Sequence, residues 1–285
     1  MTLAVLYVVS TPIGNLEDKS PRAISTLNQV DVIAAEDTRH SARLMQHFGI
    51  TTPMLALHDH NERQKAQMLV QKLADGQAIA LISDAGTPLI SDPGYHLVCA
   101  VREAGFKVVP IVGPCALIAG LSVAGLATDR FSFYGFLPAK SSGRKQQLEQ
   151  LKGITHTQVF YESPHRIVAT VDDIVSVVGP DRQLVLAREL TKTFETVYGA
   201  PALQVQTWLQ ADHNQQKGEF VVLLAGAEPE VLQDIGAAEE HMLNVLLAEL
   251  PIKKAAAIAA SLTGHKKKAL YDKALALQGK LSIKH

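Results

Sequence analysis

Two α/β domains followed by a small helical domain is the architecture this sequence predicts. Three observations predict it. Short, unbroken apolar runs alternate with amphipathic stretches through the first half of the chain. The spacing of strands and helices changes after Phe131. The last stretch carries only helix-period patterning and a sharp split of charge. The boundaries fall at residues 1–125, 126–228 and 229–285.

In the first half, Leu3–Val9, Val30–Ala35, Met54–Leu57, Ala78–Ile82 and Val108–Val112 read as buried strands. They are continuous rather than alternating, as expected of a sheet covered on both faces. Arg39–Phe48, Glu62–Ala74 and His96–Ala104 read as the helices between them, the last ended by Gly105. That βαβα order argues for a mostly parallel sheet. Gly113–Thr128 is small, apolar and dotted with glycine, and reads as a helix leading into the second domain.

From Phe131 the strands are Phe131–Phe136, Thr157–Tyr161, Gln183–Arg188, Thr193–Tyr198 and Glu219–Ala225, with helices at Arg144–Leu151, Arg166–Val178 and Pro201–Gln210. No long crossover of the βαβ kind separates the last two strands, so a mixed sheet is expected. In the tail, residues 228–250 carry six acids and no Lys or Arg, whereas residues 251–285 carry eight lysines and one acid, Asp272. Met242, Val245, Leu246 and Leu250 keep a helical period. Pro251 suits the first turn of a helix over Ile252–Leu262, and Gly264 separates it from a third helix over Lys266–Leu277. This is a helix-turn-helix-like appendage with a basic end, open to two readings: a solvated cap, or a contact with RNA or the ribosome.

Composition narrows the function. The 285 residues are 47% hydrophobic and 19% charged, with a formal net charge of −1. No global positive field draws in nucleic acid, so any such contact must come from local patches. Cys99 and Cys115 form no CxxC pair and sit in apolar or small-residue stretches, which suggests buried thiols in a reducing compartment. Zinc-type Cys/His spacing is absent, and no metal is expected. Leu3–Val9 is too short to span a membrane and lacks the flanks of a signal segment. The expectation is a cytoplasmic protein.

The chemistry is expected at the strand ends. The first strand runs into Ser10-Thr11-Pro12-Ile13-Gly14-Asn15-Leu16 and the second into Glu36-Asp37-Thr38-Arg39-His40. The third leads to His58-Asp59-His60-Asn61-Glu62. The fourth runs into Ser83-Asp84-Ala85-Gly86-Thr87-Pro88 and then Ser91-Asp92-Pro93-Gly94, and the fifth into Gly113-Pro114-Cys115-Ala116. Open parallel sheets bind ligands just beyond their carboxyl edge. Each loop alone is an ordinary turn; five on one rim mark a site. Charged residues seldom follow a buried strand without a partner or ligand, although Glu36 and Arg39 would also serve as a structural ion pair. The Rossmann G-x-G-x-x-G is absent, since Gly14 stands alone, and so is a phosphate loop of the G-x-x-x-x-G-K-[ST] type. A nucleotide-dependent oxidoreductase is therefore disfavoured. A cofactor gripped by backbone amides and carbonyls, with adenine in an apolar slot, suits these loops. S-adenosyl-L-methionine is one such cofactor.

Several of these strings resemble a known family. They are Thr11–Leu16, Ala35–Arg39, Ser83–Gly94 and Gly113–Ala116, then Tyr134–Pro138, Phe160–Arg166, Ala187–Lys192 and Lys217–Glu219. Together, in this order, they are similar to the motifs of the tetrapyrrole-methylase family, in its branch that modifies small-subunit ribosomal RNA. The tail resembles that branch's extra helical domain. The resemblance implies two α/β domains of the tetrapyrrole-methylase fold, a homodimer, and methyl transfer from S-adenosyl-L-methionine to the ribose 2′-oxygen of a cytidine in 16S rRNA of the small ribosomal subunit. It implies a cofactor pocket that includes Pro12, Asp84, Ala85, Gly86, Pro88, Ser91, Cys115, Ala116, Phe136, Leu137, Glu162, Ala187 and Gly218.

A ribose hydroxyl is a poor nucleophile, and a base to take its proton helps. Glu36, Asp37, His58, Glu162 and Glu189 are candidates, with Glu36 and Asp37 favoured. Arg39, Lys140, Arg144, Lys145, Arg166 and Arg188 are candidate phosphate contacts, and Lys140, Arg144 and Lys145 give the loop after Phe136-Leu137-Pro138 a basic edge. Tyr161 and Phe136 are either core residues or stacking platforms for a base. Two alternatives keep part of this reading: a small-molecule (tetrapyrrole) methyltransferase of the same fold, and a non-catalytic RNA-binding module.

Overall fold

The computed structural model describes residues 4–228 and 235–282, which form two compact units divided between Ala227 and Glu228. The first unit holds two five-stranded sheets.

The first sheet is built from β1 (Val5–Val9), β2 (Val32–Ala35), β3 (Met54–Ala56), β4 (Ile79–Ile82) and β5 (Lys107–Ile111), in the order β3-β2-β4-β1-β5. All four pairings are parallel, so the carboxyl ends of all five strands share one edge. β2 and β4 are buried along their whole length, which explains their uninterrupted apolar sequence. β5 closes one side, and its exposed Pro110 is tolerated because an edge strand has backbone groups to spare. On one face lie α1 (Pro21–Gln29) and α2 (Thr38–His47), which contribute Ala23, Leu27 and Met45 to the core. On the other lie α3 (Glu62–Ala74) and α4 (Tyr95–Glu103), with Leu69, Leu73, Leu97 and Val101.

Helix α1 falls in a stretch for which the sequence reading expected no element. Its signals are short: Ser20 accepts from the Ala23 N–H, and Pro21 starts the first turn. Gly94 caps α4 at φ +132°, and a methyl group there would lie 2.7 Å from Leu81 Cδ2. Its N–H and that of Leu97 both donate to the buried carboxylate of Glu62. Gly94→Ala should therefore cost about 1–3 kcal/mol from backbone strain alone, read as a lowered thermal midpoint.

Helix α5 (Ala116–Val123) leads to the second sheet, which contains β6 (Phe131–Phe136), β7 (Thr157–Glu162), β8 (Gln183–Arg188), β9 (Thr196–Pro201) and β10 (Phe220–Leu224) in the order β6-β7-β10-β8-β9. Only β6 and β7 pair in parallel; the remaining pairs are antiparallel, as the missing crossover predicted. The strand expected at Thr193–Tyr198 starts three residues later. Residues 189–195 make a turn in which Glu189 and Thr191 are left-handed and the Thr191 N–H donates to the Glu195 carboxylate. One face of this sheet packs on α6 (Ser141–Leu151), α7 (Ile167–Val178) and α8 (Ala202–Ala211). The other packs on Leu117 and Leu121 of α5 and on Ile13 and Leu190.

The second unit contains α9 (Ala237–Glu249), α10 (Ile252–Thr263) and α11 (Lys267–Ser282) around Leu243, Ala256, Ala259, Leu270 and Ala274. Gly264, left-handed at φ +78°, ends α10. Pro251 is the cap preceding α10 rather than its first helical residue. Lys273 pairs with Glu240, which ties α11 to α9. Among the described residues no helix is long and apolar enough to cross a membrane, and no cluster of His, Cys, Asp and Glu is arranged to hold a metal ion.

Candidate active site

The loops after β1, β4 and β5 are laced together through backbone groups. Thr11 and Gly86 exchange N–H···O bonds of 2.8 and 3.1 Å. Ser10 Oγ meets Thr87 Oγ1 at 3.0 Å, and Thr87 Oγ1 donates to the Pro114 carbonyl at 2.9 Å. From beneath, the buried Lys19 donates to the Ser10 carbonyl at 3.0 Å; burial holds its ammonium down to about 8. The loop after β4 is tightly coiled, with Leu89 and Ser91 left-handed. Ser91 comes so close to Gly135 of β6 that a methyl on that glycine would lie 3.2 Å from the Ser91 hydroxyl. The rim of the first sheet thus faces strands of the second.

Between them is a cavity of about 400 Å³. The first sheet contributes Glu36, Asp84–Thr87, Ile90, Ser91 and Asp92, and Ala116 lines it from α5. The second contributes Phe136, Tyr161–Pro164, Ala187 and Leu190, with Lys192, Glu219 and Val221. Its walls are mainly apolar, and its charged groups are five carboxylates and one lysine, Lys192, which is already paired with Glu189 and Glu219. Asp84 accepts from the Asp37 N–H at 3.1 Å, and Glu36 accepts from the Asp84 N–H at 3.4 Å. Burial raises the Glu36 carboxyl; the Asp84 N–H offsets this in part, and the nearby carboxylates of Asp84, Asp59 and Asp37 raise it further. Asp92 is pushed up to about 6 by burial, against a hydrogen bond from Ser83 and with the charges of Glu36, Asp84 and Asp59 adding to the rise. Such a pocket is short of positive charge and suits a cation.

Of the residues expected to hold a cofactor, Asp84, Ala85, Gly86, Ser91, Ala116, Phe136, Glu162 and Ala187 line this cavity. Pro12 lines a neighbouring one. Pro88, Cys115, Leu137 and Gly218 line neither: Leu137 is buried in the core behind β6, and Cys115 caps α5. Both cysteines are half-buried rather than buried, and both are free. Ile13, Ile90, Asp92, Tyr161, Leu190 and Lys192 also line the cavity. They stand in the same strings as the expected residues, but which side chains of a coiled loop face inward depends on the turn. The Tyr161 hydroxyl accepts from the Leu117 N–H at 3.0 Å, and the residue also lines the cavity. Phe136 lines it as well and is 54% exposed.

The candidate bases separate by what already occupies them. Asp37 accepts from the N–H groups of Arg39 and His40 and caps α2. Those bonds lower its carboxyl, and it lines neither cavity. Glu162 is fully engaged by Arg166, the Thr170 hydroxyl and the Ser163 N–H. Glu189 is held by Lys192 at 2.7 Å and by the Glu219 N–H. His58 is tied to Asn61, at 2.9 Å between side chains, and lines neither cavity. Glu36 keeps a carboxylate on the cavity wall.

Three of the six expected cationic contacts are corrected. Arg144 is buried, 2.6 Å from Asp173, with its guanidinium also donating to the Pro138, Ala139 and Ala169 carbonyls. Arg188 is buried and donates to the Lys217 and Phe194 carbonyls and to Thr196. Arg166 is committed to Glu162 and the Leu137 carbonyl. These arginines brace loops. Arg39, Lys140 and Lys145 remain on the surface. The sequence offered no sign of the difference, because a brace and a surface cation have the same letter.

A parallel sheet and a mixed sheet facing one another across a carboxylate-walled cavity define the class. The chain belongs to the tetrapyrrole (corrin/porphyrin) methylases, whose family model matches residues 5–206. Within that family its curated relatives carry the name ribosomal RNA small subunit methyltransferase I. The one from Escherichia coli O157:H7 is 56% identical over 274 residues, covering 96% of each chain. The one from Pseudomonas aeruginosa is 54% identical over 281 residues, covering 98% of this chain and 100% of the relative. Residues 233–278 match the RsmI C-terminal HTH domain. Solved structures share the fold at low identity. A diphthine synthase gives a TM-score of 0.58 at 14% identity over 78% of this chain and 89% of its own. The methyltransferase CobJ gives 0.57 at 17% over 81% and 96%.

Proposed function

We propose that this chain methylates a ribose 2′-oxygen of a cytidine in 16S rRNA of the small ribosomal subunit, using S-adenosyl-L-methionine, in the cytoplasm and as a homodimer. The observation that carries the reading is the cavity between the two sheets, with carboxylates set into apolar walls. The names of the relatives support small-subunit ribosomal RNA as the substrate, and the motif resemblance supports the cytidine 2′-oxygen.

The residues present fit the donor. The slot formed by Ile13, Ile90, Leu190 and Val221 suits an adenosine. Backbone groups of the coiled 84–92 loop suit its polar edges, and Glu36, Asp84 and Asp92 suit a molecule carrying a sulfonium and an ammonium. When bound, the donor supplies a methyl group on a positively charged sulfur. The protein's part is to hold the acceptor oxygen in line and close, where positioning supplies up to roughly 7–11 kcal/mol, to exclude water, and to take the hydroxyl proton. Glu36, whose side chain lines the cavity and whose carboxyl is raised by burial, would take it. The exposed Lys253, Lys254, Lys266, Lys267 and Lys268 of the helical unit give it a cationic surface suited to rRNA phosphates.

Purified protein should transfer labelled methyl to small subunits from cells lacking the enzyme, and none to a porphyrinogen. Intact donor binding with no transfer to subunits would sink the RNA reading. Donor binding should also depend on pH. A cation in the cavity favours ionised Asp92, so binding displaces its proton. Affinity is expected to be weak below about 6, to rise through that value and to level off above it. Titration calorimetry from pH 5 to 8 reads this directly, and a flat profile would remove Asp92 from the donor site.

A further inference from the structure

A second cavity, of about 340 Å³, adjoins the first. The two share Ile13, Asp84, Ala85, Lys192 and Glu219 as a common ridge. Its other walls are the loop after β1, with Pro12, Gly14 and Leu16, and one face of α2, with His40, Arg43 and Leu44 at helical spacing i, i+3, i+4. The two cavities differ in charge. The first is walled by carboxylates; the second has acids only on the shared ridge, Asp84 and Glu219, and adds His40 and Arg43, neither of which pairs with them. Arg43 is exposed, and among the described residues it makes no hydrogen bond or ion pair. Lys192, by contrast, is held between Glu189 and Glu219 at 2.7 and 2.9 Å. The N–H groups opening α2 are already satisfied by Asp37, so the side chains supply the positive charge.

We propose that the second cavity receives the target nucleotide, unstacked from its strand, with Arg43 and His40 on the phosphate beside it and its sugar lying against the shared ridge. This rests on the RNA reading above. The chemistry is that of a molecule with a neutral, flat part and an anionic backbone. Pro12, Ile13, Leu16 and Leu44 give apolar surface to the first. Arg43 and His40 give charge to the second. The ridge brings its sugar to the edge of the donor cavity and keeps the phosphate out of the first cavity, where Glu36 and Asp92 lie.

The test is the steady-state kinetics of Arg43→Ala on purified small subunits with labelled donor, across a range of salt. Loss of one phosphate contact should raise KM for subunits several-fold to about tenfold and flatten its dependence on log salt by roughly 0.7–0.9. The donor dissociation constant and the thermal midpoint should stay unchanged, and Arg43→Lys should recover most of the loss. Lys107→Ala, which removes an exposed charge at the amino end of β5 on the opposite rim, should leave KM alone. Wild-type enzyme that methylates subunits while Arg43→Ala matches it, or while Lys107→Ala loses as much, overturns the pocket assignment and spares the RNA reading. Wild-type enzyme that binds donor but methylates no subunits overturns both.

Discussion

Asp173→Ala should destabilise the first unit by about 3–5 kcal/mol, because it strands the Arg144 guanidinium in the core without its counter-ion. Both side chains are nearly inaccessible, at 3% and 8% exposure. Around them, Ser141 donates to Asp173 at 2.9 Å, and Arg144 reaches the Pro138 and Ala139 carbonyls. The pair therefore fastens the loop between β6 and α6 to α7. Arg144→Ala should cost less, since Lys145 at 3.5 Å still faces the carboxylate it leaves, although it frees those carbonyls. Replacing both by apolar residues of matching volume should cost far less than the sum of the two, because no charge is then left unpaired. At roughly 2–4 °C per kcal/mol for a domain this size, Asp173→Ala shifts the thermal midpoint by about 6–20 °C and Arg144→Ala by less. Single variants that melt like the wild type would mean that water reaches the pair. Exposed Lys140→Ala, in the same basic stretch, should be nearly silent.

The contrast between Arg144 and Lys140 shows where the sequence stops being legible. The layout of both sheets was readable because burial on two faces leaves a pattern: β2 and β4 are apolar without interruption, and β6 and β8 fall on the predicted residues. The rim was readable too, since parallel strands must end on one edge, and the Gly, Pro and acidic residues gather there. Orientation within the loops was not. Whether Cys115 or Asp92 faces the cavity is set by backbone turns such as the left-handed Leu89 and Ser91, and no periodicity encodes those. The role of a charge was equally hidden. Glu162 looked like a free carboxylate but anchors Arg166 and Thr170, and Asp37 looked like a base but caps α2. Helix α1 went unread because its apolar positions, Ala23 and Leu27, are few, and its cap is a single serine.

Glu36→Gln should lower kcat for methyl transfer by about 10²–10⁴-fold, the range a positioned general base supplies. The substitution is nearly isosteric. Glutamine keeps an oxygen that can accept the Asp84 N–H, so the rim should hold its shape, and donor affinity should fall only by the loss of one of three carboxylates facing the cation. Burial and the carboxylates around it lift the Glu36 carboxyl above the usual range, which makes its ionised form a stronger base than a surface glutamate. The sign follows: activity should rise with pH as Glu36 loses its proton, and the glutamine variant should lose that limb of the profile. Asp37→Ala separates the neighbours. It removes a helix cap at a cost of about 1 kcal/mol, and kcat should survive. Loss confined to Asp37→Ala would assign the base to Asp37 in place of Glu36, and wild-type turnover in both variants would move it elsewhere on the cavity wall. Asp92 would then be the next residue to replace, since it is the other cavity-lining carboxylate whose proton is held well above the ordinary carboxylate range.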